Sequence, residues 1–150
     1  MQDSVDTVEI NGKKNMKKEP RGRLYQHSEF EFNEFNGLKI EKLFVCENPE
    51  TKEPIIIYIK VENRNWHQFF LDAGIGFWEN WDEIDIEDDS YDFIDSTDKF
   101  DLKYKVINRI YCKPDLKNSR ITLELKNNAK LILKCKEPKV FNSECELIMQ

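Results

Sequence analysis

The chain has 150 residues, of which 39% are hydrophobic and 35% charged, and it carries a formal net charge of −6. That length suits one ordinary domain with its own core, and ten Phe, five Tyr and three Trp are too many aromatics for a disordered polymer. A net anionic chain is a poor non-specific binder of nucleic acid, and no run approaches the roughly 18 apolar residues of a membrane span.

Residues 1–23 hold six basic side chains and only isolated apolar ones, with neither the basic start nor the apolar stretch of a secretory signal. They read as a flexible leader ahead of a single β-rich domain over 24–150, and the expected compartment is cytoplasmic. From Leu24 to Phe35 the aromatics Tyr25, Phe30, Phe32 and Phe35 fall at spacings of two and three, and Phe30-Glu31-Phe32 alternates as a strand does. After the turn signal Asn36-Gly37, residues 38–46 and 55–62 read as two strands joined by a polar connection with Pro49 and Pro54. Ile55 to Ile59 is apolar at every position, the pattern of a central strand buried on both faces.

The next segment supports two periods. Trp66, Phe69, Phe70 and Ala73 share one face of a helix, while Phe69, Leu71, Ala73, Ile75 and Phe77 share one face of a strand. The strand pattern is longer and accounts for the residues beyond Gly74, so one strand is expected here, with Gly74 and Gly76 baring a strip where another chain passes close or a bulge forms. Residues 91–94 and 105–112 are further strands. The clearest hairpin joins 120–126 to 130–136, with Asn128 expected at positive φ. A loop of odd length keeps apolar residues facing one another and sets Leu125 opposite Leu131, Leu123 opposite Leu133 and Ile121 opposite Cys135. Residues 144–149 close the chain. Short strands about ten residues apart, without βαβ alternation, predict a mostly β fold: an antiparallel sandwich or partial barrel with at most one or two short helices.

Chemistry-bearing motifs are sparse. No phosphate-binding glycine loop and no nucleophile elbow is present, and Cys46, Cys112, Cys135 and Cys145 show neither C-x-x-C nor metal-site spacing. They are expected as reduced, structural thiols. His67 is expected as a hydrogen-bonded surface histidine; as a general base it would need Asp72, which a strand points to the opposite face. No cofactor is implied. Asp85-Ile86-Glu87-Asp88-Asp89-Ser90 lacks the sixth-position glycine of an EF-hand loop, although a different Ca²⁺ geometry stays open.

Charge is the strongest signal. Residues 79–98 carry ten carboxylates and no Lys or Arg, whereas residues 99–140 hold twelve Lys/Arg against four acids. A solvated acidic face is the simplest account, but aromatics are interleaved with these carboxylates, which plain solvating tails lack. Aromatic anchors with charged rims build specific interfaces. The expected partner-binding residues are therefore Trp78 and Trp81 as anchors, with Asp82, Glu83, Asp85, Glu87, Asp88, Asp89, Tyr91 and Asp92 around them.

In size, in its lack of catalytic motifs and in the tract from Trp66 to Asp98, which includes the string Trp66-His67-Gln68-Phe69-Phe70-Leu71-Asp72-Ala73-Gly74-Ile75-Gly76-Phe77-Trp78, the chain resembles the small acidic immunity proteins paired with bacterial toxins. That resemblance implies a non-enzymatic inhibitor of a cationic protein, such as a nuclease whose cleft is shaped for phosphate. Two other classes stay open: a small hydrolase or metal-dependent enzyme using His67 with nearby carboxylates, and a structural module of a larger assembly whose acidic run packs on its own basic strands.

Overall fold

The computed structural model describes residues 24–81 and 90–150. Among them are eleven strands and no helix: β1 (Leu24–His27), β2 (Phe30–Phe32), β3 (Ile40–Glu47), β4 (Pro54–Val61), β5 (Trp66–Asp72), β6 (Ile75–Trp81), β7 (Asp92–Asp95), β8 (Ile107–Asp115), β9 (Asn118–Leu125), β10 (Lys130–Cys135) and β11 (Cys145–Met149). They form two antiparallel sheets, ordered β1-β6-β5-β4-β3-β7 and β11-β10-β9-β8-β2, packed as a sandwich and not closed into a barrel. The expected mostly β, antiparallel architecture is what the chain adopts. Residues 1–23, expected as a leader, lie outside the described residues.

Period-two alternation sorts the side chains. Leu43, Val45, Ile57, Ile59, Phe69 and Trp78 of the six-stranded sheet meet Phe30, Phe32, Ile110, Ile121, Leu123, Leu131 and Leu133 of the five-stranded sheet in one buried core. The run Ile55 to Ile59 does lie in a central strand, β4, with Ile57 and Ile59 in the core and Ile55 and Ile56 half-buried. β8 runs on through Pro114, which pairs with Ser119 of β9. β2 is too short to reach that level, so β8 is an edge there and loses nothing by lacking the proline N–H.

Two sequence expectations need correction. The strand expected from Phe69 to Phe77 is two strands: Asp72 pairs with Ile75 across a two-residue turn, with Ala73 at φ 51° and Gly74 at φ 78°. Positive φ at both central residues is the turn that matches strand twist, and Gly74 supplies one without strain. The expected close approach is present at both glycines and tightest at Gly76, where an added Cβ would lie 2.6 Å from Cys112 Sγ and 2.9 Å from the Phe30 ring, against 3.0 Å from Phe141 at Gly74. In the β9–β10 hairpin the facing parity holds and Asn128 has φ 74°, but the register is shifted by two residues, with Leu123 opposite Leu131 and Ile121 opposite Leu133. Leu125 N–H donates to Ala129 O at 2.9 Å, and Asn127 Oδ1 accepts from Ala129 N–H. The three-residue loop is therefore 126–128 and not 127–129, a shift that keeps the same faces inward.

Candidate interaction site

The outer face of the six-stranded sheet is rich in rings. Phe44 stacks on Trp66 (centroids 5.4 Å apart, planes at 11°), Phe70 on Phe77 (4.8 Å, 4°), and Tyr58 lies 5.6 Å from Phe93. All six are half-buried, and no described strand lies over them. At the centre Gln68 donates a hydrogen bond to Glu79 on the neighbouring strand. Lys42 sits over the Phe44 ring and pairs with Asp95 at 3.6 Å, and Lys60 pairs with Glu41 at 3.7 Å.

β7 is one edge of this sheet and, among the described residues, pairs only with β3. It follows directly on the acidic tract. Tyr91, just before β7, and Ile94 within it are 36% and 40% exposed. Between and beside them stand Asp92, 3.6 Å from Lys52, and Asp95. A hydrogen bond from the Thr97 hydroxyl holds the Asp95 carboxyl below the ordinary aspartate value against a desolvation that raises it, with Lys42 helping. Exposed ion pairs such as these contribute little and exchange partners readily, so both carboxylates can serve an incoming cation.

Of the expected interface residues, Tyr91 and Asp92 fall on this edge. Asp82, Glu83, Asp85, Glu87, Asp88 and Asp89 lie outside the described residues, between Trp81 of β6 and Ser90. Trp81 ends β6 opposite Trp66. Trp78 is not a surface anchor. It is 2% exposed in the core, stacked near-parallel on His67, to whose Nδ1 its indole N–H donates at 3.0 Å. Alternation decides this: Trp78 lies opposite Phe69 in the row that faces the second sheet. Missed by the sequence reading was Ile94, whose exposure depends on β7 being an edge.

His67 is also not at the surface. It is 0% exposed, with the Phe35 ring perpendicular at 4.8 Å and the Trp78 ring near-parallel at 5.5 Å. Asp72 is exposed on the opposite face, as alternation requires. All four cysteines are buried thiols outside any disulfide, and burial pushes the Cys112 and Cys145 thiols up to about 12, so little of either is thiolate at neutral pH. Among the described residues no group of three or more His, Cys, Asp or Glu is placed to hold a metal ion, and no helix is long and apolar enough to cross a membrane.

No protein-family model, curated protein or solved structure matches this chain. Its function has to be argued from its own residues.

Proposed function

We propose that this chain is a non-enzymatic binding protein that neutralises a cationic protein partner, acting as an immunity-type inhibitor of a bacterial toxin in the cytoplasm. The observation that carries the reading is edge strand β7, with exposed Tyr91 and Ile94 set among Asp92 and Asp95. Six further carboxylates at 82–89 are joined covalently to it. Open apolar side chains supply contact area, and the negative charge of the segment supplies speed and partner choice. A nuclease is the partner class that fits best, because a cleft built for phosphates accepts carboxylates in their place. Half-buried Phe44, Tyr58 and Phe93 give β7 a stiff backing, which lowers the ordering cost of binding.

Paired affinity baits test the proposal: the wild-type chain, a Tyr91→Ala/Ile94→Ala variant, and an Asp82→Lys/Asp85→Lys/Asp88→Lys variant, each exposed to extract of the source cells. The supporting result is a basic protein held by wild type and lost by both variants, whose toxic activity the purified chain then inhibits one to one. Identical captures by all three baits would remove this edge from the interface. Loss of thermal stability in the charge-reversal variant, without any partner, would assign the acidic run to the chain's own packing.

A further inference from the structure

Cys135 of β10 lies directly opposite Cys145 of β11. Hydrogen-bonded and non-hydrogen-bonded pairs alternate along an antiparallel ladder. Lys136 N–H donates to Glu144 O at 2.8 Å, and Lys130 and Gln150 exchange both of their bonds at 2.9 and 2.8 Å. The cysteines, one step from the first pair and five from the second, therefore form a non-hydrogen-bonded pair. Cys145 N–H confirms it independently by donating to Glu53 Oε2 at 2.7 Å and not across the ladder. Such pairs bring Cα atoms to about 4.5 Å, at the short end of the roughly 4.4–6.8 Å that a disulfide spans.

Both side chains leave facing backbone positions toward the interior and are buried. Cys145 also lines a cavity of about 230 Å³ together with Val45, Glu53, Lys99, Lys136 and Leu147. That space admits a small oxidant.

We propose that Cys135 and Cys145 are a dithiol modification site, oxidised by hydrogen peroxide to a cross-strand disulfide. The Cys145 thiol loses its proton and its sulfur attacks one peroxide oxygen. The O–O bond breaks, leaving a sulfenic acid on Cys145 and releasing water. Cys135 sulfur then attacks the sulfenic sulfur, its proton leaves with the hydroxyl as a second water, and the S–S bond forms. Two thiols lose two electrons and one peroxide becomes two waters. A thiol reductant reopens the bond by exchange, so it behaves as a switch on the β10–β11 edge. Only the thiolate attacks, and burial, the largest cause, holds the Cys145 thiol near 12, so formation should quicken about tenfold per pH unit between pH 7 and 9.

The test treats the native full-length chain with hydrogen peroxide at pH 7, 8 and 9, quenches it with catalase, and alkylates the remaining thiols in denaturant. The expected product has lost about 2 Da, takes up two labels fewer than untreated protein, maps to a Cys135–Cys145 link, and reverts with dithiothreitol. In Cys135→Ser the reaction should stop at a Cys145 sulfenic acid trapped by dimedone; circular dichroism verifies that this variant folds, and the wild-type map decides the matter if it does not. Four alkylatable thiols after native treatment, a link through Cys46 or Cys112, or a link formed only after unfolding would overturn the proposal.

Discussion

Trp78→Phe separates a core tryptophan from an interface anchor. The substitution removes the indole N–H that His67 Nδ1 accepts at 3.0 Å, inside a site where both residues are almost fully buried. Depriving a buried acceptor of its donor costs about 1–3 kcal/mol. The smaller ring also leaves space beside Phe32, whose centroid is 4.8 Å away, and partial truncation of a core aromatic adds about 1 kcal/mol of lost contact. The sum, about 2–4 kcal/mol, corresponds to a fall in Tm of roughly 4–16 °C for a domain of this size. Urea unfolding followed by tryptophan fluorescence, with Trp66 and Trp81 as remaining probes, should show a lower midpoint at unchanged slope. Partner capture per folded molecule should stay the same. A loss below about 1 kcal/mol together with abolished capture would refute this reasoning and put Trp78 at the interface.

Gly76→Ala should destabilise by about 1–3 kcal/mol through overpacking, because its Cβ would meet Cys112 Sγ at 2.6 Å. Adding Cys112→Ala should recover part of that loss, which a double-mutant cycle by chemical denaturation would measure. At Asn128, φ 74° favours glycine, so Asn128→Gly should be neutral or stabilising and Asn128→Val should lower the thermal midpoint by several degrees. Asp95 is held below its ordinary value by Thr97, and Glu124 by Asn108 and Arg109 acting against burial. A lowered folded value contributes stability above the unfolded value and loses it as pH falls. The decline should therefore start near the ordinary values of 4.5 and 3.8 and continue below them, and Asp95→Asn with Glu124→Gln should flatten that acid limb in pH-dependent unfolding.

Much of the sandwich was legible because period-two alternation speaks locally. The strands around Ile57, Ile110, Leu123 and Leu133 could be placed from their neighbours alone. Register was harder, since three-residue loops at 126–128 and at 127–129 keep the same parity at Leu123 and Leu131, and only the Leu125–Ala129 and Asn127–Ala129 hydrogen bonds choose between them. The Ala73-Gly74 turn hid because its flanks, Leu71 and Ile75, continue one another's alternation as if no reversal occurred. Trp78 and His67 misled for a related reason: polar or amphipathic rings beside charged sequence look exposed until the strand's inward face is known. The exposure of Ile94 and the pairing of Cys135 with Cys145 are tertiary facts, fixed by which strand lies at an edge and which lies opposite.

The most direct measurement of the binding proposal is the association rate of the captured basic partner, followed by stopped flow from low to physiological salt. Electrostatic steering by residues 82–89, Asp92 and Asp95 predicts a rate well above about 10⁶ M⁻¹s⁻¹ at low salt that falls steeply as salt rises. Asp82→Lys/Asp85→Lys/Asp88→Lys should cut the low-salt rate at least tenfold and flatten the dependence. A rate that ignores both salt and these reversals would contradict the proposal.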